Sequence, residues 1–314
     1  MSKLPPIEKL SLAVRKNLRD EWESKKEDFE KQLSEILAVP WTIDIDPKQV
    51  YAYAGDGYAK DSLGACIASY VEGAVSRLKE FESNYGDEGV KEINAIAHKH
   101  SLGLDFDENK RWSYCGVDVH EGQLRMLFEK DCLGTNISYC LDRDVLDKAL
   151  NEAPAGEAAE SSNLSYSTRT NIRQEYDPKI GDIQKKVADI LANPDIKLNP
   201  NFDAIFASLL AESKVKKTEL REDWQSSIGY MAREYFDGFV SQLQWQKFED
   251  DDMLQEGFKE AVDKNEVCLR IVDKLNDSSY SEAVVEDGVL YIQCKPLTWG
   301  TNVSYAAEKL VDKL

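Results

Sequence analysis

A chain of 314 residues with 39 basic and 58 acidic side chains carries a formal net charge of −19. Phosphate backbones and anionic membrane surfaces repel such a chain, so we expect neither nucleic acid nor membrane as a partner. The length favours about two domains, each large enough to bury its own core.

The first residues, Met1 to Glu8, contain no apolar stretch of the kind found in a secretory signal. No later run approaches the roughly 18 apolar residues that a membrane span requires. We therefore expect a cytoplasmic protein.

The first predicted helix runs from about Ile7 to Leu37, because apolar residues recur there at spacings of three, four and seven. Its counterpart in the second half is shorter and is expected to begin with Asp177 as N-cap and Pro178 at the first helical position. Both helices are expected to stop at a proline, Pro40 or Pro194.

A long helix is predicted next in each half, at about Tyr58 to Glu82 and at Glu219 to Phe248. Each contains two glycines, which cost about 1 kcal/mol each against alanine in a helix. Because both halves keep them, we expect close packing against the glycine face; the glycines are Gly64, Gly73, Gly229 and Gly238. The second half has extra residues before its long helix, near 202–223, which also read as helical, and a functional asymmetry could lie there.

After a shorter helix the hydrophobic period changes from 3.6 to 2, which predicts three short strands in each half. A tight hairpin turn is expected at Glu121-Gly122 and at Asp287-Gly288, where positive φ favours glycine. Each half is then expected to end with a helix, Ser138 to Asn151 and Ser304 to Leu314, capped by its first serine.

The two halves match in sequence. Val119 to Tyr139 matches Val285 to Tyr305 without a gap, at an offset of 166 residues, and Ser62 to Leu78 matches Ser227 to Leu243 at an offset of 165. Two independent stretches in the same order indicate a tandem duplication.

The predicted fold class is therefore α+β: a tandem duplication of an α-α-α-β-β-β-α domain, each with a small antiparallel sheet, arranged with pseudo-two-fold symmetry. The first repeat covers residues 1–150, a polar linker covers 151–163, and the second repeat covers 164–314. We expect a monomer that contains an internal pseudo-dimer.

The cysteines predict core thiols rather than a disulfide or metal framework, because none forms a C-x-x-C pair and the matching positions of the other half hold small or apolar residues. The three histidines, His98, His100 and His120, all lie in the first half and have no counterparts in the second. We predict no metal, no cofactor and no catalytic residue.

Candidate binding residues lie in the shared Gly-Thr-Asn-x-Ser-Tyr string, whose amides and hydroxyls could hold a phosphate or carboxylate. The alternative is that the glycine makes a turn, the serine a cap and the tyrosine a core contact. Trp299, beside the second string, is expected to be an exposed contact residue. The other candidates are Gly134, Thr135, Asn136, Ser138, Gly300, Thr301, Asn302 and Ser304.

The leading functional hypothesis is a non-catalytic binding or scaffold protein with a two-repeat fold that engages a protein partner. It rests on the long amphipathic helices and on the lack of any catalytic constellation in the sequence. The alternative is an enzyme or small-molecule carrier whose site lies in a cleft between the two repeats.

Overall fold

The computed structural model describes residues 3–153 and 163–314. The chain divides into two compact units, Met1–Ser161 and Ser162–Leu314. Most of the linker predicted at residues 151–163 lies outside the described residues, and its first two residues belong to the helix that precedes it.

The first unit begins with two helices joined by a π-helical turn at Arg19–Glu23. Together they form most of the long helix predicted from Ile7 to Leu37, but the helix begins at Leu12, with Ser11 as its N-cap. Its longest helix leaves the helical conformation at Gly86, where φ is 59°, so the long and the shorter predicted helix meet there. The elements are α1 (Leu12–Leu18), α2 (Ser24–Ile36), β1 (Thr42–Ile43), α3 (Pro47–Tyr51), α4 (Leu63–Ile96), β2 (Ser101–Phe106), β3 (Cys115–His120), β4 (Gln123–Phe128) and α5 (Arg143–Glu152).

The second unit has a similar series of elements, with a π-helical turn at Ile172–Tyr176. Its third helix covers the first part of the segment near 202–223, as predicted, and the rest of that segment forms turns. The elements are α6 (Tyr166–Asn171), α7 (Asp177–Ile190), β5 (Lys197–Asn199), α8 (Phe202–Ser213), α9 (Ile228–Trp245), α10 (Asp252–Ala261), β6 (Glu266–Ile271), β7 (Ser281–Glu286) and β8 (Val289–Cys294).

Each unit contains one four-stranded sheet, and the two sheets share one strand order, β1-β2-β4-β3 and β5-β6-β8-β7. The predicted antiparallel three-stranded sheets are wrong in pairing, because β2 lies parallel to both β1 and β4, and only β3 runs antiparallel to β4. β2 is buried at five of its six positions, as expected of a strand with neighbours on both sides. A very short fourth strand, β1 or β5, completes each sheet at the other edge.

The hairpin turn is confirmed in both sheets. Glu121 and Gly122 have φ of 48° and 78°, and Asp287 and Gly288 have φ of 50° and 74°. Positive φ at both central residues defines a type I′ turn, whose twist matches that of the strands it joins. The turn fixes the register of β3 on β4 and of β7 on β8.

The long helix of each unit packs backbone to backbone against the first helix at a glycine. A Cβ atom on Gly64 would lie 2.7 Å from the Cα of Leu18, and one on Gly229 would lie 2.7 Å from the Cα of Ile172. Gly238 is in similarly close contact with Ser304, whereas Gly73 has more room. Close packing is therefore confirmed at Gly64, Gly229 and Gly238, and it is not found at Gly73.

An asparagine caps the long helix at the same crossing. The Oδ1 atom of Asn17 accepts hydrogen bonds from the amides of Gly64, at 2.7 Å, and Ala65, at 3.3 Å. In the second unit, Oδ1 of Asn171 accepts from the amide of Tyr230 at 2.9 Å. The orphan amides at the helix start are thus satisfied from a neighbouring helix instead of from a local cap.

The predicted start of the second unit's first helix is wrong. The helix begins at Tyr166 with Ser165 as N-cap, whose Oγ accepts from the amide of Thr168, and it continues through the π turn into α7. Pro178 lies inside this helical stretch directly after the π turn, where the wider turn relaxes the normal i to i−4 bonding.

The predicted terminal helices are only partly correct. In the first unit, Ser138 lies in a short 3₁₀ turn and α5 begins later, after Asp142. In the second unit the residues after Tyr305 form 3₁₀ turns and no α-helix. The side-chain amides of Gln242 and Gln246 donate to the carbonyls of Ser304 and Ala307, at 2.7 and 2.8 Å, and so occupy acceptors that a helix would use.

The buried core of the second unit lies between its sheet and its helices, around Tyr235, Phe236 and Phe239 of α9. Five of the six cysteines are buried, as predicted, and Cys132 is partly exposed. Within residues 3–153 and 163–314, no helix is both long and apolar enough to cross a bilayer.

We expect Gly64→Ala and Gly229→Ala to destabilise the protein by about 1–3 kcal/mol, the usual range for an overpacked site. The added methyl would overlap the neighbouring helix backbone, which cannot yield as a side chain can. Urea unfolding of the full chain measures the change.

Gly181→Ala in α7 is the matched control, since the added Cβ would meet nothing within 4 Å beyond its chain neighbours and its own helix backbone. We expect it to stabilise the helix by up to about 1 kcal/mol. Equal effects of the alanines at positions 64 and 181 would contradict the close-packing argument.

Candidate functional site

The two Gly-Thr-Asn loops are built alike. The amide of Gly134 donates to the hydroxyl of Tyr70 and the amide of Gly300 donates to that of Tyr235, each at 3.2 Å. Both tyrosines lie buried on the long helices, and burial raises the pKa of each hydroxyl. The buried hydroxyl therefore holds the glycine turn against the helix in each unit.

The asparagines of both loops adopt left-handed backbone conformations, with φ of 55° at Asn136 and 53° at Asn302. The threonine amides bond within the loop, Thr135 to the carbonyl of Cys132 at 2.9 Å and Thr301 to that of Thr298 at 3.0 Å.

Of the sequence candidates, Thr135, Asn136, Ser138, Asn302 and Ser304 are exposed. Gly134, Gly300 and Thr301 are partly exposed. Neither serine caps an α-helix, so the loops lack the helix N-terminus on which an anion site was expected to form. Binding of phosphate or carboxylate by these residues stays a prediction.

Trp299 is not the exposed contact residue that the sequence predicts. Its exposed fraction is 3%, and its ring centroid lies 5.2 Å from that of Tyr235. Gly300 has a φ of 78°, and the turn it makes leaves the preceding indole packed in the core. Leu133, the matching residue of the first unit, is also buried.

A groove of about 640 Å³ lies beside the edge strand β7 of the second unit. We call it the β7 groove. One wall runs from Asp277 to Ala283, and the other includes Tyr305 and Lys313. Tyr280 and Tyr305 are 47% and 60% exposed, so each presents an aromatic ring to solvent at this groove.

A buried carboxylate forms part of the lining of the β7 groove. Glu282 is 7% exposed and accepts hydrogen bonds from the amides of Asn276 and Asp277, each at 2.9 Å, and from Nε2 of Gln293 at 2.7 Å. Burial opposes ionisation of Glu282, but the three hydrogen bonds together outweigh it, so the pKa of Glu282 lies below its ordinary value. Nε of Arg270 donates to Gln293 at 2.7 Å and extends this polar chain across the sheet.

The matching place in the first unit is filled. α5 packs along the edge strand β3 and buries Leu146, Ala149 and Leu150. The Trp112 ring covers Gly116, and Nζ of Lys148 on α5 lies 5.0 Å from the centre of that ring.

In the second unit, Glu282 occupies the position that Gly116 occupies in the first. The hairpin register shows the match, since Gly116 pairs with Leu127 and Glu282 pairs with Gln293. Ser278 lies four residues before Glu282, at the position that matches Trp112 of the first unit. The groove therefore exists because the second unit lacks both the indole and the helix.

A second polar groove, of about 390 Å³, lies on the sheet of the first unit. Arg125 binds Asp118 through Nε at 3.0 Å and through a terminal nitrogen at 2.8 Å, and Arg111 binds the same carboxylate. Asp107 is 1% exposed, and its Oδ2 accepts from the amide of Trp112 at 2.9 Å. These charges are largely neutralised by one another, as buried ions require.

Metal binding has no geometric support in the part of the chain that the structure describes, since no three His, Cys, Asp or Glu side chains there are arranged to hold an ion. His98 packs against the hairpin turn at Gly122.

Comparisons with protein-family models, with curated proteins and with solved structures found no match for this chain. The β7 groove was not predicted from the sequence, because the residues after Ser304 read as a helix. The sequence difference that could have indicated the groove is that Glu282 and Ser278 stand where the first half has Gly116 and Trp112.

Glu282→Gln is expected to lower the melting temperature at pH 7, because an amide cannot accept from both backbone amides as the carboxylate does. Since the folded pKa lies below that of the unfolded chain, the carboxylate stabilises the fold above the unfolded pKa, and this stabilisation is lost as pH falls through the folded pKa. The difference from wild type should therefore shrink below about pH 4.

Thermal unfolding from pH 7 down to pH 3 measures this difference. Glu286→Gln is the control, because Glu286 lies on the same strand with its side chain 54% exposed and, although it pairs with Arg270, accepts none of the backbone amides that Glu282 accepts. A gap between Glu282→Gln and wild type that stays constant over the whole pH range would refute the proposed role of the carboxylate.

Proposed function

We propose that the chain is a non-catalytic binding protein and that its second unit holds an extended segment of a partner protein in the β7 groove. The observation that carries the proposal is the difference between the units: a helix covers edge strand β3, and a groove flanks edge strand β7. A strand edge that pairs with no further strand is a template for pairing with another chain.

The backbone of β7 supports strand addition. Glu286 and Val289 flank a two-residue turn and so form a hydrogen-bonded pair, and such pairs alternate along the hairpin. Ser281, Ala283 and Val285 therefore direct their amides and carbonyls away from β8. Among residues 163–314 no hydrogen bond to these outward groups is found.

The tyrosines supply the side-chain contacts. Tyr280 immediately precedes β7 and Tyr305 stands on the opposite wall, so a segment lying along the strand passes between two aromatic rings. Exposed tyrosines contribute large contact areas at little cost in conformational entropy, and they are enriched at interfaces.

The charges of the groove favour a segment with net positive charge. Four carboxylates line the groove against two lysines, and Lys313 already pairs with Asp277 at 2.8 Å. The whole chain carries −19, which favours approach of a basic segment over a longer range. Binding should therefore weaken as the salt concentration rises.

We also infer that the two units derive from a tandem duplication, supported by the matching sequence blocks and by the shared strand order of the two sheets. A pseudo-two-fold arrangement of the units, a monomeric state and a cytoplasmic location stay predictions from the sequence.

Ala283→Pro tests the strand-addition mechanism. Proline removes an outward amide, which an edge strand tolerates, but a paired strand then loses a hydrogen bond. A library of random linear peptides is selected on the immobilised full chain, and the affinities of the selected peptides are measured for both proteins. We expect the peptides to carry net positive charge and to lose at least about tenfold in affinity for Ala283→Pro, roughly one lost hydrogen bond.

Ala283→Val is the control, because it keeps the amide and should keep the affinity. Circular dichroism checks that each variant is folded, and Val285→Pro replaces Ala283→Pro if that variant does not fold. Equal binding by wild type and the proline variants would reject strand addition, and selected peptides that bind as helices would indicate a different occupant.

A further inference from the structure

Four of the six cysteines gather around one loop of the first unit. The sulfur of Cys66 lies beneath Gly134, 3.3 Å from where a Cβ atom of that glycine would stand. Sγ of Cys115 donates to the carbonyl of Asn136 at 3.1 Å, and Sγ of Cys140 donates to that of Gly116 at 2.8 Å. The fourth thiol, Cys132, lies in the same loop region and is partly exposed.

The thiols of Cys115 and Cys140 both lie in the gap between β3 and the Gly134 loop. The Cys115 thiol leaves the start of β3 and contacts the loop, while the Cys140 thiol leaves the end of the loop and contacts the residue after Cys115. The two side chains are also close enough for each to shift the pKa of the other. Each sulfur therefore bridges β3 and the Gly134 loop from opposite sides.

The two thiols differ in pKa and in exposure, and therefore in reactivity. The polar contact with the Cys140 side chain favours the Cys115 thiolate and, against the effect of burial, lowers the pKa of Cys115. Complete burial raises the pKa of Cys140. Cys115 is 8% exposed and Cys140 is 2% exposed, so Cys115 is both the better nucleophile and the more accessible sulfur.

We propose that Cys115 and Cys140 are a reversible thiol–disulfide switch that responds to a peroxide oxidant and ties the Gly134 loop to β3. No metal arrangement of these side chains competes with this chemistry among the described residues.

The reaction balances in two steps. The Cys115 thiolate attacks one peroxide oxygen, the O–O bond breaks, and the departing hydroxide takes up a proton as water, which leaves a sulfenic acid on Cys115. The Cys140 sulfur then attacks the Cys115 sulfur, the S–S bond forms, the S–O bond breaks, and a second water leaves with the Cys140 proton. Two thiols supply the two electrons that reduce one hydrogen peroxide to two waters.

The second unit has no such pair, because Ser281 and Ala306 stand at the matching positions. The switch thus acts on one unit only. The same residues provide test variants, Cys115→Ser and Cys140→Ala, in which each replacement is a residue that the other unit already accommodates.

Hydrogen peroxide is added to the full chain, which is then denatured and alkylated, and the free thiols are counted by mass spectrometry. We expect wild type to lose two free thiols per chain and to regain them with dithiothreitol. Trypsin should release the peptide from Trp112 to Arg125 joined by a disulfide to that from Asp131 to Arg143.

The second tryptic peptide contains both Cys132 and Cys140. The variant Cys132→Thr, which introduces the residue found at the matching position of the second unit, shows which of the two is bonded to Cys115. The cross-link should persist in Cys132→Thr and disappear in Cys115→Ser and Cys140→Ala. Loss of the cross-link in Cys132→Thr, its persistence in Cys140→Ala, or a wild type that keeps all six thiols under peroxide would overturn the proposal.

Discussion

Each unit depends on one contact, the crossing of its first helix over a glycine near the start of its long helix. Gly64 and Gly229 let two backbones meet where any side chain would overlap the neighbouring helix. At the same crossing, Asn17 and Asn171 cap the long helix with their side-chain oxygens. Close approach and capping require each other, because the asparagine reaches the helix amides only when no Cβ keeps the helices apart.

The crossing fixes the rest of each unit through the long helix. Once α4 and α9 are placed, their buried tyrosines hold the Gly134 and Gly300 turns by the same 3.2 Å hydrogen bond. The strings that both halves share are thus mainly parts of one supporting frame. The units differ beyond the frame, where α5 covers β3 in the first unit and Glu282 lines an open groove in the second. A binding function placed in that groove therefore does not disturb the frame.

Local features were predictable from the sequence, and features set by distant contacts were not. The hairpin turns at Gly122 and Gly288 follow from local φ preferences and are confirmed. The strand order was missed, because alternation of apolar residues says nothing about which strand is central. The Asn17 cap was also missed, although an Asn-(Leu/Ile)-Arg-x-Glu-aromatic pattern starting at Asn17 and Asn171 marks it in both halves. The β7 groove depends on the missing terminal helix, which depends on the competing bonds from Gln242 and Gln246.

Where matching positions of the two halves hold different residues, the fold tolerates both residues. The difference does not show whether one unit uses its residue for a function. By sequence alone the cysteines are interchangeable with Met, Ser, Thr and Ala, which argues for inert core thiols. The structure shows in addition that four of these cysteines surround one loop and that the matching positions of the second unit hold no thiol. The second unit forms the same fold without these thiols, and oxidation of Cys115 and Cys140 leaves the Gly64 crossing and the Tyr70 hydrogen bond to Gly134 in place.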